Sequence, residues 1–110
     1  MTMEFHTAYG KVPEKLVNDI RNEILELSHI YKKISRAEVL LKEDKTILLP
    51  VNKICKIRLT VYGDDLQGHA RTENFKNSAK EVIKDLKRIV KQHVNKQREL
   101  PDVKTSTVKA

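Results

Sequence analysis

The chain has 110 residues, of which 39% are hydrophobic and 34% are charged, and its formal net charge is +7. This length predicts one domain around a single core, and this composition excludes a generally disordered chain. No apolar stretch approaches the roughly 20 residues of a membrane span, and the first residues lack the basic region and apolar run of a secretory signal.

The first predicted elements are a strand and a helix. The segment MEFHTAY, residues 3–9, alternates in polarity as a strand does, and Gly10 follows it. Pro13 suits the first position of a helix, because its missing N–H costs nothing there. Apolar residues then recur at helical spacing: Leu16, Val17, Ile20, Ile24, Leu27 and Tyr31. Acidic residues begin this helix and Lys32 and Lys33 end it, which suits the helix macrodipole.

Three further strands are predicted in the middle of the chain. Residues 35–42 and 54–62 alternate clearly, and residues 67–73 form a more polar strand. The core-facing residues of the first two are expected to be Ala37, Val39 and Leu41, then Cys55, Ile57, Leu59 and Val61. The charged segment 43–53 is a candidate loop, although its ILL could lengthen a strand, and GDD at 63–65 predicts a turn.

Cys55 is the single cysteine, so it has no intramolecular disulfide partner. Its place in an apolar strand favours a buried, inert thiol over a nucleophile. A chain without a disulfide fits a reducing compartment. We therefore expect a cytoplasmic protein.

A second helix follows the fourth strand. Asn74 or Asn77 is positioned to cap its N-terminus, and the helical pattern runs to about Arg98. Leu100 and Pro101 are predicted to end it. The order is thus β-α-β-β-β-α.

This order predicts an α+β fold. The three later strands should form an antiparallel meander, and both helices should cover one face of a four-stranded sheet, leaving the other face partly solvated. We expect a single domain at residues 1–98, followed by a disordered tail at residues 99–110.

Almost all of the excess charge lies in the second helix. Residues 75–98 hold eight cations and two anions, a net charge of +6. At 100° per residue the aliphatic side chains fall in one arc of this helix and the cations in another. We call the uninterrupted part of the second arc the lysine row, which comprises Lys76, Lys80, Lys84, Lys87 and Lys91. Like charges at this spacing repel by roughly 0.2–0.5 kcal/mol each, and a bound polyanion would relieve the repulsion.

Two other interpretations of this helix stay open. The first is an ordinary solvated face, which usually mixes charges of both signs. The second is a membrane-surface helix, which usually carries Trp, Phe or Leu on its apolar face, whereas this one has mainly Val, Ile and Ala. The concentration of charge favours a nucleic-acid or other polyanion surface.

The solvated face of the predicted sheet adds further cations. It should show Arg36, Lys56, Arg58, Tyr62, His69 and Arg71. These side chains would either extend a phosphate-binding surface or form a merely solvated face.

The pattern gives no support for catalysis. His6, His29, His69 and His93 lack metal-ligand spacing, and the chain has no glycine-rich phosphate loop and no GxSxG motif. We expect no enzymatic activity, no metal, no cofactor and no small-molecule substrate.

The second half of the chain resembles a known family. The segment YGDDLQGHARTENFKNSAKEVIKDLKRIVKQHVNK is similar to the bacterial ribosome hibernation-promoting factor and ribosome-associated inhibitor family, and the likeness extends over roughly residues 3–97. Residues at matching places are Ala70, Phe75, Leu86, Arg88 and His93. Asp85 and Ile89 depart from the family pattern, which has Lys and Gln there.

The resemblance implies a function. Members of the family bind the small ribosomal subunit in the channel used by messenger RNA and tRNA, and block translation in stationary phase. The chain resembles a short form, which we expect to be monomeric when free and to bind the small subunit through its ribosomal RNA. The candidate RNA-binding residues are Lys76, Lys80, Lys84, Lys87, Arg88, Lys91, His93, Lys96, Arg58 and Arg71. The alternatives are a stand-alone RNA- or DNA-binding module, such as a double-stranded-RNA binder, and a protein-interaction regulator of transcription.

Overall fold

The order of elements agrees with the prediction. The structure is a computed structural model that describes residues 1–7, 12–44, 51–61 and 64–109, with side chains described as far as Asn95. Its elements are β1 (Thr2–Thr7), α1 (Glu14–Ile30), β2 (Ile34–Glu43), β3 (Lys53–Val61), β4 (Asp64–Thr72) and α2 (Phe75–Lys109). The α+β class with the order β-α-β-β-β-α is therefore confirmed.

The four strands form one mixed sheet in the order β1-β2-β3-β4. β1 runs parallel to β2, while β2–β3 and β3–β4 are antiparallel. A parallel pair needs a long crossover connection, which α1 supplies between β1 and β2. The predicted meander of the last three strands is confirmed.

The strand alternation sorts side chains to two faces of the sheet. Val39 lies opposite Ile57 across the β2–β3 pair, and both are fully buried. Ile57 in turn lies opposite Gly68 of β4. The other predicted core residues of β2 and β3 are also buried: Ala37, Leu41, Cys55, Leu59 and Val61. We call this side the core face and the opposite side the open face.

Both helices pack on the core face. A Cβ atom at Gly68 would lie 3.5 Å from side-chain atoms of both Val82 and Leu86, so α2 passes directly above β4. At the opposite edge of the same face, the guanidinium carbon of Arg21 in α1 lies 5.2 Å from the ring centre of Phe5 in β1. The buried side chains of the two helices join those of the strands in one core.

Two boundaries of this part of the fold differ from the prediction. β4 begins at Asp64, so the prediction of a turn at residues 63–65 is wrong for the two aspartates. They pair with Val61 and Thr60 of β3, because strand pairing outweighs the low strand propensity of Asp. α1 begins at Glu14, one residue after Pro13.

The N-terminus of α2 is capped by Asn74. Its side-chain oxygen accepts a hydrogen bond from the backbone N–H of Asn77 at 2.8 Å. The buried Ser78 hydroxyl donates to the carbonyl of Lys53 at 2.6 Å and so ties the first turn of the helix to β3. Of the two predicted caps, Asn74 is the correct one.

The cap gives a stability prediction. Asn74→Ala should lower the free energy of unfolding by about 1 kcal/mol, because one N–H of the first turn loses its acceptor. Asn77→Ala is the matched control, since Asn77 contributes a backbone N–H that alanine retains. Urea denaturation measures both, and equal losses would contradict the assignment of Asn74 as the cap.

The end of α2 also differs from the prediction. The helix continues through Leu100 and Pro101 to Lys109, so the predicted end near Arg98 is wrong. A proline removes one backbone hydrogen bond and bends a helix without necessarily ending it. The division into a domain at 1–98 and a tail at 99–110 stays a prediction.

A few predictions fall outside the described residues. The end of the first predicted strand at Tyr9 and Gly10 is one of them. The ILL of the candidate loop and the end of the third strand at Tyr62 are the others.

Candidate nucleic-acid interface

α2 has an apolar face and a cationic face, as its sequence predicts. Val82 and Leu86 have no exposed surface, and Ala79 and Val90 are almost completely buried. The cations of the other arc are all exposed: Lys76, Lys80, Lys84, Lys87, Arg88 and Lys91. The structure therefore brings six of the ten candidate residues together along one side of one helix.

A groove separates this cationic face from α1. The groove has a volume of about 560 Å³, and we call it the interhelical groove. Its apolar lining includes Ile20 of α1 and Ile83 of α2. Its charged lining consists of Asp19 and Glu23 on α1 and of Lys76, Lys80, Lys84 and Lys87 on α2. Carboxylates of one helix thus face ammonium groups of the other.

One pair of these charges is in direct contact. The Lys87 Nζ atom lies 2.9 Å from Glu23 Oε2, and both side chains remain partly exposed, at 51% and 37%. The contact with the Glu23 side chain raises the pKa of Lys87, and the charge of Glu26 adds to this effect. The repulsion within the lysine row is therefore partly relieved inside the protein, by acids that lie on α1.

Arg58 is held in a ladder of ion pairs on the open face. Its Nη2 atom lies 2.8 Å from Glu38 Oε2, and Glu38 also contacts Arg36 at 3.0 Å. Arg36 in turn lies 2.8 Å from Glu4, which also contacts His6 at 3.4 Å. The hydrogen bond from Arg58 lowers the pKa of Glu38 and raises that of Arg58 itself. The charge of Arg58 is thus largely compensated within the sheet.

The remaining cations of the open face lie where the alternation predicts. Lys56, His69 and Arg71 are exposed there, as is Arg36 of the ladder. Arg71 lies opposite Ile54 in the β3–β4 pair, away from the ladder. The open face is on the side of the sheet opposite to α2, so the structure does not bring Arg58 or Arg71 together with the lysine row.

His93 lies at the margin of the core. Only 14% of its side chain is exposed, and its Nδ1 atom is 4.0 Å from Asp64 Oδ2. Its ring packs edge-on against Tyr31, with ring centres 5.6 Å apart. This packing accounts for His93 in structural terms and separates it from the exposed cations. Lys96, the last candidate, lies in α2, but its side chain is outside the described part of the chain.

The acids on α1 are the feature of this surface that sequence analysis missed. Asp19, Glu23 and Glu26 recur at intervals of four and three residues, so they lie on one side of the helix. We call them the acidic row. That spacing was a signal in the sequence, but the partner of the acidic row becomes visible only when the two helices are placed side by side.

The structure agrees with the prediction that Cys55 is a buried, inert thiol. It has no exposed surface, and burial raises its pKa to about 12. A thiol in this state is neither nucleophilic nor a metal ligand at neutral pH.

Among residues 1–7, 12–44, 51–61 and 64–109, no three His, Cys, Asp or Glu side chains are placed to hold a metal ion. None of the described helices is both long and apolar enough to span a membrane.

Comparisons with known proteins give a family and a fold. A family model described as "Sigma 54 modulation protein / S30EA ribosomal protein" matches residues 5–98. No curated protein matches the sequence significantly. A ribosomal subunit interface protein from Coxiella burnetii has a similar structure, with a TM-score of 0.74 and 10% identity over 86% of this chain and 99% of that one. The N-terminal domain of Thermus thermophilus Protein Y is also similar, with a TM-score of 0.68 and 12% identity over 84% and 99%.

Proposed function

Because the chain belongs to the sigma 54 modulation protein / S30EA ribosomal protein family, we propose that it is a non-enzymatic, ribosome-associated translation inhibitor. The observation that carries this proposal is the row of six exposed cations along α2. The opposite face of the same helix is anchored in the core, so the cations are presented on a rigid support.

The proposed target is the small ribosomal subunit. The protein would occupy the channel used by messenger RNA and the anticodon ends of tRNA, and would block translation in stationary phase or stress. This role places it in the cytoplasm. The resemblance of roughly residues 3–97 to hibernation factors supports the finer assignment, and the exposed lysine row supports contact with ribosomal RNA.

The mechanism is electrostatic and requires no chemical step. Lysine and arginine side chains that meet phosphates release the counterions condensed on the nucleic acid, and this release drives binding. Lys80, Lys84, Arg88 and Lys91 are exposed and would each neutralise a phosphate. A rigid helix holds the backbone positions of these cations in a fixed spacing, so little backbone conformational entropy is lost on binding.

The family description also names modulation of sigma 54, which would suit a protein-interaction regulator of transcription. The concentration of positive charge favours RNA over a protein partner. A stand-alone RNA-binding module would use the same cations but would have no preference for ribosomes.

Salt dependence and sedimentation distinguish these functions. We expect the protein to sediment with small subunits in a gradient of stationary-phase lysate, and its affinity to fall with a log–log salt slope of about −3 to −5 if roughly five phosphates are neutralised. Equal affinity for free duplex RNA would favour the stand-alone module. Protein that stays at the top of the gradient and shows no salt-sensitive RNA binding would favour the transcription regulator.

A further inference from the structure

The two helices on the core face carry opposite charge. Residues 14–30 of α1 hold four acids and two cations, a net charge of −2, whereas residues 75–95 of α2 hold six cations and two acids, a net charge of +4. Asp19 and Glu23 of the acidic row line the interhelical groove opposite the lysine row of α2, and the charge of Glu26 also acts on Lys87. The cationic surface therefore has an acidic neighbour on one flank.

The other flank of the cationic face also carries acids. Glu81 and Asp85 follow Lys80 and Lys84 along α2, and at 100° per residue they lie beyond Arg88 on the side away from the lysine row. The cationic face is thus a strip along the axis of α2 with carboxylates on both sides.

We propose that the acidic row of α1 forms a boundary to the RNA-binding surface, withholding Lys87 and confining nucleic acid to a single phosphate strand along the outer side of α2. Lys84, Arg88 and Lys91 would make the central contacts. This inference rests on the proposed function, because it specifies how the same surface meets RNA.

The contact between Glu23 and Lys87 is the physical reason why a phosphate would avoid Lys87. A phosphate that approached Lys87 closely would come within a few ångströms of the Glu23 carboxylate, which already lies 2.9 Å from the ammonium group. Two like charges at about 4 Å repel by roughly 1 kcal/mol in water and by more near a protein surface. The phosphate would have to displace Glu23 or accept this repulsion. Lys84, Arg88 and Lys91 have no ion-pair partner within 4 Å in the described part of the chain and carry no such cost.

Neutralising Glu23 tests the boundary. Glu23→Gln should release Lys87 to a phosphate, so affinity for RNA should rise about threefold and the salt slope should steepen by about 0.7–0.9, the value of one added phosphate contact. Glu14→Gln is the matched control, because it removes the same charge from an exposed site of the same helix that lies outside the acidic row and has no ion-pair partner within 4 Å among the described residues. The control should leave the slope unchanged.

Two binding targets separate this inference from the proposed function. Fluorescence anisotropy is measured over a salt series with isolated small subunits and with single-stranded poly(U). If the wild-type protein binds poly(U) but not small subunits, and Glu23→Gln alone steepens the poly(U) slope, the boundary stands and the ribosomal function fails. If the wild-type protein binds small subunits and the two variants have the same slope, the ribosomal function stands and the boundary is wrong.

Discussion

Replacing Lys84 and Lys91 together with glutamate should abolish co-sedimentation with small ribosomal subunits at about 0.15 M salt, with an affinity loss of at least about 100-fold. Each substitution would remove a proposed phosphate contact and place a like charge against the RNA backbone, and such juxtapositions cost several kcal/mol. Both side chains are exposed, so the fold should be unaffected, as far-UV circular dichroism can verify.

The matched control reverses two lysines elsewhere. Lys32 and Lys33 are exposed in the turn between α1 and β2, outside the cationic face of α2, and their reversal changes the net charge by the same amount. The control should lose affinity only slightly, because its positive net charge is smaller. Equal losses in the two double variants would show that net charge, and not the face of α2, determines binding. Lys87 is left out because its reversal would also set two carboxylates against each other at Glu23.

Leu86→Ala should strongly destabilise the protein, with a loss of about 2–5 kcal/mol in the free energy of unfolding. Leu86 has no exposed surface and lies above Gly68. Glycine offers no side chain with which to fill the space, so the cavity would persist and add its cost to the lost burial.

Leu25→Ala makes the same chemical change at an exposed site. Leu25 is 39% exposed on α1, so its truncation should cost less than about 1 kcal/mol. Urea denaturation with both variants measures the difference. The fraction of Leu86→Ala that remains folded should bind RNA with an unchanged salt slope, because the cationic face is not altered; a changed slope would show that the two faces of α2 are coupled.

The parts of the fold that follow from local pattern could be predicted from the sequence. The alternation in β2 and β3 correctly identified core residues such as Val39 and Ile57, because successive strand residues must point to opposite faces. The two arcs of α2 follow in the same way from helical periodicity. Asn74 could be named as a possible cap because only a few residue types accept the first N–H groups of a helix.

The features that sequence analysis missed depend on contacts between distant segments. Glu23 meets Lys87 only because two helices lie side by side on the sheet, and neither helix alone contains that information. Arg58 is compensated by Glu38 only through the register of β2 with β3. Asp64 and Asp65 join β4 against their own propensity, because β3 supplies a partner for their backbone. Periodicity predicts which way a side chain points. Predicting which residues it contacts also requires the strand register and the packing of the helices.

The burial of Cys55 makes it a built-in reporter of how often the sheet opens. It lies between Leu41 and Ala70 on adjacent strands of the core face, and with a pKa of about 12 only about one molecule in 100,000 carries the thiolate at pH 7. A thiol-specific reagent can therefore modify this residue only during an excursion that exposes β3, when the pKa returns to its ordinary range. Because the chain has no second cysteine, the rate of alkylation reports how often the centre of the sheet opens in the native protein, without an added label. Comparing that rate for free and ribosome-bound protein would reveal how far binding slows the same excursion.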